Sequence, residues 1–233
     1  MRPTTILLWD IDGTLMSSSG AGRRAIERTF AARFGRHDVL DFPFDGLTDP
    51  VIFRRGLLGL GLDERAADAA MAPLVEVYLE HLQLACAAPD GFRVHDGIAE
   101  CLGRLGGVPG FAVGLGTGNI ERGARIKLGR VGLDHHFAFG GFGSDHGDRP
   151  SLLAIGTDRG AALLGKARAD CRVVVIGDTP KDIAAARAIG AECIAVATGS
   201  YSVERLAEHG PTVAAHSLSA PEALVVVWGE RAA

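Results

Sequence analysis

Short apolar runs, each followed by a turn and then by a helical pattern, constrain the fold of this chain most strongly. The clearest runs cover residues 4–9, 111–115, 172–176 and 193–197, and a weaker run covers residues 136–139. Runs of this length and composition predict buried β-strands. Helical patterns lie between them at residues 119–129, 151–166 and 180–189. This alternation predicts an α/β fold, a doubly wound parallel sheet with helices on both faces.

Residues 17–88 interrupt the alternation, because they contain three helical patterns and no convincing strand. A chain of 233 residues is longer than a minimal domain and shorter than two full ones. We therefore predict a Rossmann-like core domain formed by residues 1–16 and 90–233. An all-helical domain, residues 17–89, is inserted after the first strand.

Prolines set the predicted starts of two inserted helices. Asp49 is interpreted as the N-cap of one helix and Pro50 as its first helical residue. A second helix has apolar residues at helical spacing along one face. Proline is tolerated only in the first turn of a helix, so Pro73 predicts that this helix begins near Met71 or Ala72.

Charge and cysteine content exclude several classes of function. The chain has 24 basic and 28 acidic side chains, a formal net charge of −4, and no basic stripe, which argues against a nucleic-acid partner. No apolar run approaches the roughly 20 residues of a membrane span, so no membrane partner is expected. Four scattered cysteines favour neither a disulfide framework nor a zinc site. We expect a cytoplasmic protein, monomeric or homodimeric.

Three strand ends carry residues suited to chemistry. The sequences are D-I-D-G-T at residues 10–14, G-T-G-N at residues 116–119 and G-D-T-P-K-D at residues 177–182. Ligands bind at the carboxyl ends of parallel strands, so the three segments are expected to meet. Paired aspartates require a cation or a shared proton, and small residues before a helix expose backbone N–H groups to an anion. Each segment alone is equally typical of an ordinary turn or helix cap.

Taken together, the order and context of these three segments resemble the haloacid dehalogenase superfamily, specifically its phosphatase branch. The resemblance covers nearly the whole chain, because the helical insertion lies where that family places a type 1 helical cap. The segment at residues 44–49, which contains G-L-T-D, resembles the cap of phosphoglycolate-phosphatase-like members. The candidate cap contacts for an acidic substrate are Arg23, Arg24, Arg54 and Arg55, although arginines on helices are more typical of a solvated surface.

The resemblance implies a role for individual residues. Asp10 would be the nucleophile that forms an aspartyl-phosphate, and Asp12 would be the general acid and then the general base. The implied phosphate-binding residues are Thr14, Thr117, Gly118 and Asn119. The implied Mg²⁺ ligands are the Asp10 carboxylate, the Asp12 carbonyl and Asp178, with Asp182 in support. The implied substrate is a small phosphorylated metabolite, either phosphoglycolate-like or a sugar phosphate.

One element departs from the family pattern. The family usually has a lysine, often followed by proline, before the helix that leads to the last motif. This chain has Arg149 and Pro150 there, so Arg149 is the expected substitute, and Lys166 is the alternative. The nearby segment at residues 134–148 is rich in His and Asp but fits no familiar zinc spacing.

Two alternatives to a phosphatase remain open at this stage. A phosphomutase would keep Asp10 and Asp12 but would retain the phosphoryl group on a sugar. A phospho-accepting signalling module, which is not an enzyme, also combines aspartates, a threonine and a basic residue on a doubly wound sheet. The helical insertion and an Asp12 suited to acid–base turnover favour an enzyme. A dehalogenase is disfavoured, because carbon–halogen displacement has no use for an acid–base group at Asp12.

Overall fold

The fold is built on eight strands and nine helices within residues 3–88 and 91–229, which the computed structural model describes. The strands are β1 (Thr5–Trp9), β2 (Met16–Ser17), β3 (Arg93–Val94), β4 (Phe111–Thr117), β5 (Gly140–Phe142), β6 (Arg172–Gly177), β7 (Glu192–Val196) and β8 (Val213–Ala215). The helices are α1 (Ala21–Phe34), α2 (Asp49–Gly59), α3 (Glu64–Ala87), α4 (Ile98–Leu105), α5 (Glu121–Arg130), α6 (Arg149–Leu163), α7 (Pro180–Ala188), α8 (Val203–Ala207) and α9 (Pro221–Trp228). No helix in these ranges has the length and apolarity needed to cross a bilayer.

Six strands form one parallel sheet in the order β5-β4-β1-β6-β7-β8. Side chains of the central strand β1 alternate between its two faces, as the strand pleat requires. Ile6 and Leu8 pack with α6, α7 and α8, whereas Leu7 and Trp9 pack with α4, α5 and α9. This arrangement confirms the predicted doubly wound α/β sheet. The four clearest apolar runs correspond to β1, β4, β6 and β7, with small differences at their ends.

Strand register brings the predicted motifs together. Trp9 at the end of β1 is paired with Leu115 of β4 on one side and with Ile176 of β6 on the other. The next residue, Asp10, donates its backbone N–H to the carbonyl of Ile176 at 2.9 Å. The residues that follow β1, β4 and β6 therefore emerge side by side at the carboxyl edge of the sheet.

The inserted helices α1, α2 and α3 have an apolar cluster of their own, which includes Phe30, Phe53, Tyr78 and Leu82. The chain enters this region through β2 and leaves it through β3. These two short strands pair antiparallel, although the sequence predicts no strand there. The predicted boundary at residues 89 and 90 lies outside the described residues.

The predicted starts of two inserted helices are wrong. Helix α3 begins at Glu64, where the Asp63 side chain accepts the Ala66 N–H at 2.8 Å, and Pro73 lies inside the helix. Pro73 is exposed, so water can reach the backbone carbonyl that lacks its helical partner. Helix α2 has Thr48 as its N-cap, and Asp49 is its first residue.

The strand predicted at residues 136–139 is also wrong. Asp134–His136 form a 3₁₀ turn, and the edge strand β5 follows at Gly140–Phe142. Two of its three residues are glycines, which β-propensity disfavours. Packing explains them, because a Cβ atom at Gly141 would lie 1.8 Å from the carbonyl oxygen of Leu152 in α6. Close contact between strand and helix therefore overrides propensity here.

Candidate active site

Three buried carboxylates lie together at the carboxyl edge of the sheet. Asp10 follows β1, Asp178 follows β6, and Asp182 lies in the first turn of α7. Each offers an oxygen, and these three atoms all lie within 4.8 Å of one another. Burial raises the pKa of Asp10 to about 6 and the pKa of Asp178 to about 8, and neighbouring carboxylates add to both shifts. Positive charge is needed to keep this cluster fully ionised.

Arg149, the first residue of α6, supplies part of that charge. Its Nη2 atom lies 2.9 Å from Asp10 Oδ2 and 2.5 Å from Asp182 Oδ1. The side chain is buried, and although burial opposes the shift, the two carboxylates raise the pKa of Arg149. The Asp148 carboxylate caps α6 and so fixes where the helix begins. Of the two basic candidates, the structure places Arg149 at Asp10, whereas Lys166 is exposed beyond the end of α6.

The donor set of the acidic cluster fits a hard divalent cation. Carboxylate oxygens are the ligands that such ions prefer, and three buried carboxylates outnumber the one guanidinium paired with them. Gly199 gives Asp178 the space it occupies, since a Cβ atom there would lie 1.8 Å from Asp178 Oδ2. Thr179 holds Asp182 in place. Asp182 Oδ2 accepts one hydrogen bond from the Thr179 backbone N–H at 3.0 Å and another from the Thr179 hydroxyl at 2.7 Å.

The Asp12 carboxylate belongs to a separate group of contacts. Its Oδ2 lies 2.5 Å from Lys127 Nζ and accepts a hydrogen bond from Asn119 Nδ2 at 3.0 Å, while its Oδ1 accepts one from Ser18 Oγ at 3.0 Å. Burial acts to raise the pKa of Asp12, but the charge of Lys127 and the hydrogen bonds together lower it below its usual value. The two aspartates of the first motif therefore have opposite electrostatic surroundings.

The four predicted phosphate-binding residues lie beside these groups in two different settings. Gly118 and Asn119 line the cavity described below, whereas Thr14 and Thr117 are fully buried. The Thr14 hydroxyl donates to Asp178 Oδ1 at 3.2 Å, and Thr117 Oγ1 accepts a hydrogen bond from Asn119 Nδ2 at 2.9 Å. Thr14 thus orients Asp178, and Thr117 orients Asn119.

These groups open onto a cavity of about 600 Å³ between the sheet edge and the inserted helices. The lining from the sheet side includes Asp10, Asp12, Asn119, Lys127, Arg149 and Asp178. The lining from the insertion includes Arg23, Ile26, Phe44, Leu47 and Ile52. The volume is that of a small-molecule site, and its many charged and polar lining residues suit a polar, charged ligand.

The candidate cap arginines and the His- and Asp-rich segment, both singled out in the sequence, lie in different settings. Of the four candidate cap arginines, Arg23 lines the cavity, with its guanidinium 3.8 Å from the centre of the Phe44 ring. In the His- and Asp-rich segment, Asp145 binds Arg159 through both carboxylate oxygens, at 2.6 and 2.8 Å. No second group of metal-type ligands occurs within the described parts of the chain.

Sequence reasoning missed Lys127, Ser18 and His95, all of which line the cavity. A lysine on a helix normally indicates a solvated face, yet Lys127 is only 3% exposed. Its partner Asp12 lies 115 positions away in the sequence, so only the fold brings the two together. His95 carries no local motif that would have indicated its position.

Comparison with known proteins identifies the family. The model of the haloacid dehalogenase-like hydrolases matches residues 4–190 of this chain. The match covers most of the sequence, so the chain belongs to the haloacid dehalogenase-like hydrolases. It is an enzyme of that hydrolase family, as its sequence motifs predicted. A search of curated proteins finds no sequence match.

Solved structures share the fold over nearly their full length. A predicted phosphatase from Clostridium acetobutylicum is 18% identical, with 96% of this chain and 98% of that chain covered and a TM-score of 0.67. A hydrolase from Pseudomonas syringae is 20% identical, with coverage of 98% and 99% and a TM-score of 0.65. A predicted phosphoglycolate phosphatase from Haemophilus somnus is 16% identical, with coverage of 99% of both chains and a TM-score of 0.65.

Proposed function

We propose that this protein is a Mg²⁺-dependent phosphatase that hydrolyses a small phosphorylated metabolite through an aspartyl-phosphate on Asp10. The observation that carries the proposal is the buried cluster of Asp10, Asp178 and Asp182, with Arg149 bound to Asp10, at one end of the cavity. Covalent catalysis divides a difficult hydrolysis into two easier steps. A carboxylate nucleophile beside an ion-binding cluster is suited to phosphoryl transfer.

In the first step, Asp10 Oδ attacks phosphorus and the bond to the leaving oxygen breaks. With a pKa of about 6, Asp10 is mostly ionised at neutral pH. Arg149 Nη2 holds one of its oxygens and fixes the direction of the other. When bound by Asp10 and Asp178, with the Asp12 carbonyl, a divalent ion would supply the charge that lets a carboxylate approach an anionic phosphate. Asp182 would support this arrangement by holding Arg149.

Asp12 is proposed to serve both steps as the acid–base group. Because its pKa is lowered, Asp12 is ionised at neutral pH. In the first step it would take up a proton, from the phosphate monoanion or from solvent, and pass it to the leaving oxygen; in the second it would accept a proton from the water that attacks phosphorus as the bond to Asp10 Oδ breaks. Its position in the cavity supports this role, and its lowered pKa suits the second, base step directly. Proton transfer by a positioned side chain contributes about 10²- to 10⁴-fold to a rate.

The phosphoryl oxygens are proposed to bind the backbone amides around Gly118 and Asn119, because both hydrogens of the Asn119 side-chain amide are already donated to Asp12 and Thr117. Both residues line the cavity just before α5. Thr117 supports this site by holding Asn119. For Thr14, the hydrogen bond to Asp178 favours a role in orienting that carboxylate rather than in contacting phosphate.

Substrate selection is proposed to lie with residues 17–89, acting as a cap domain over a core of residues 1–16 and 90–233. Support comes from the separate apolar cluster of this region and from its contribution to the cavity lining. The cavity volume suits a phosphoglycolate-like molecule or a sugar phosphate. A cytoplasmic location would give the enzyme access to such metabolites.

A panel of phosphorylated metabolites, with released phosphate measured with and without Mg²⁺, tests the proposal. We expect phosphate release that requires the ion and depends on Asp10. Isomerisation of a sugar phosphate without net phosphate release would instead indicate a phosphomutase. A stable phosphorylated protein that releases no phosphate from any metabolite would indicate the signalling alternative.

A further inference from the structure

Lys127 is a buried cation that the steps above do not use. It lies on α5 and is 3% exposed. Its Nζ atom lies 2.5 Å from Asp12 Oδ2 and 2.6 Å from Asn119 Oδ1. An ammonium group is costly to remove from water unless it is closely paired. The position of this lysine therefore calls for an explanation beyond surface charge.

Lys127, Asp12 and Asn119 form a closed triangle of contacts. Lys127 binds both partners, and Asn119 Nδ2 donates to the same Asp12 oxygen that Lys127 contacts, at 3.0 Å. Ser18 Oγ holds the other Asp12 oxygen at 3.0 Å. Both oxygens of the carboxylate are thus fixed at the cavity wall, although the Asp12 side chain is 40% exposed.

The inserted helix α1 closes over the lysine. A Cβ atom at Gly22 would lie 3.1 Å from Lys127 Nζ, so the absence of a side chain at Gly22 leaves room for the ammonium group. A purely structural role explains this arrangement poorly. Replacing a buried ion pair by apolar groups of similar volume is often neutral or stabilising, so stability alone does not require a lysine here.

We propose that Lys127 is a positioning residue that holds the Asp12 carboxylate in the orientation needed for proton transfer at the substrate oxygen. The inference rests on the proposed role of Asp12. In this proposal Lys127 does not contact the substrate. Its action should therefore disappear when Asp12 can no longer transfer a proton.

A double-mutant cycle tests this dependence. We would measure kcat and KM with Mg²⁺ for the wild type, Lys127→Met, Asp12→Asn and the double variant, using an aryl phosphate and an alkyl phosphate. Lys127→Met is expected to lower kcat by about 10²-fold, within the range of acid–base contributions, with KM unchanged. The loss in kcat/KM, which reports the first step, should be larger for the alkyl phosphate, whose leaving group depends more on protonation. In the Asp12→Asn background, Lys127→Met should cause no further loss.

Arg125→Met is the matched control, because it removes a cation of the same helix that binds Asp134 at 2.9 Å outside the cavity lining. It should leave kcat for both substrates unchanged. Circular dichroism would follow folding, and Lys127→Gln, which retains a donor for Asp12, would be carried through the same cycle if Lys127→Met unfolds.

The possible failures are distinguishable. Equal losses from Lys127→Met with and without Asp12 would overturn the positioning role, as would a rise in KM alone or an equal loss in kcat/KM for both leaving groups. Full activity of Asp12→Asn in the otherwise wild-type protein would overturn the acid–base role of Asp12 and, with it, the role of Lys127. Activity that survives Asp10→Asn would contradict the proposed phosphatase mechanism itself.

Discussion

At the scale of single residues, the site depends on how charges are paired. Arg149 contacts Asp10 and Asp182, and Lys127 contacts Asp12, so each aspartate of the first motif has its own cation. Asp10 nevertheless has a raised pKa and Asp12 a lowered one. Burial acts to raise both pKa values; the carboxylates around Asp10 add to its shift, whereas the charge of Lys127 and several hydrogen bonds outweigh burial at Asp12. Two aspartates two positions apart therefore titrate in different pH ranges.

Replacing Arg149 tests its assignment as the basic group of the site. We expect Arg149→Ala to lower kcat by about 10²- to 10³-fold, since it removes the donor that directs the nucleophile at the site of developing charge. Arg149→Lys should retain part of the activity, because it keeps the charge but loses the forked geometry. Steady-state phosphate release measures both effects. Lys166→Ala is the control, and a loss of activity in that variant with none in Arg149→Ala would reverse the assignment.

Sequence reasoning locates Asp10, Asp12 and Asp178 because each follows an apolar strand, a pattern visible over a few positions. It also indicates Arg149, from its place before the helix that leads to the last motif, and the structure places that side chain 2.9 Å from Asp10. It does not find Lys127, whose surroundings are formed by α1, α5 and the first motif. It also does not foresee that the Thr14 hydroxyl binds Asp178. Contacts between distant segments depend on the completed fold.

At the scale of elements, the edge strand β5 shows how packing overrides propensity. Its glycines read as loop in the sequence, yet they allow α6 to approach the sheet and so place Arg149, the first residue of α6, at Asp10. Helix α3 is a second exception to propensity, for a different reason. Pro73 disfavours a helix but is tolerated inside α3 because it is exposed to solvent. The fully apolar strands and the periodic helices were predictable, because buried residues follow a regular pattern along them. Strand β5 and the start of α3 were not.

Alanine substitution at Gly141 tests the strand–helix contact. A Cβ atom there would lie 1.8 Å from the backbone of Leu152, so we expect Gly141→Ala to lower the free energy of unfolding by about 1–3 kcal/mol. Gly103→Ala in α4 is the control. It meets nothing within 4 Å and should raise stability by about 0.5–1 kcal/mol. Urea unfolding measures both, and a neutral Gly141→Ala would contradict the close packing of β5 on α6.

At the scale of the whole molecule, the acidic cluster couples stability to pH and to metal. Because Asp10 and Asp178 have raised pKa values of about 6 and about 8, the metal-free folded protein binds more protons than the unfolded chain from about pH 4 to about pH 8. Stability should therefore fall as pH rises through that window. A cation that replaces these protons should stabilise the protein more at the upper end of this pH window, where fewer protons compete with it.

Thermal unfolding with and without Mg²⁺ measures this coupling. At about pH 8 and a hundredfold excess over Kd, Mg²⁺ should add about 2.7 kcal/mol, a rise in Tm of roughly 5–10 °C. At the same Mg²⁺ concentration the rise should be smaller near pH 5, where protons compete for the carboxylates, and it should be largely lost in Asp178→Asn. An equal rise at both pH values, or an unchanged rise in Asp178→Asn, would contradict binding of the ion at the acidic cluster.

The central claim, that Asp10 carries the phosphoryl group, is tested most directly by trapping it. The Asp12→Asn variant would be mixed briefly with an aryl phosphate and Mg²⁺, quenched in acid and digested, and its peptides would be weighed by mass spectrometry. Since the loss of Asp12 slows hydrolysis of the intermediate, we predict that the peptide containing Asp10 gains the mass of one phosphoryl group at Asp10. Phosphorylation of another residue, or phosphate release with Asp10 never modified, would contradict the account.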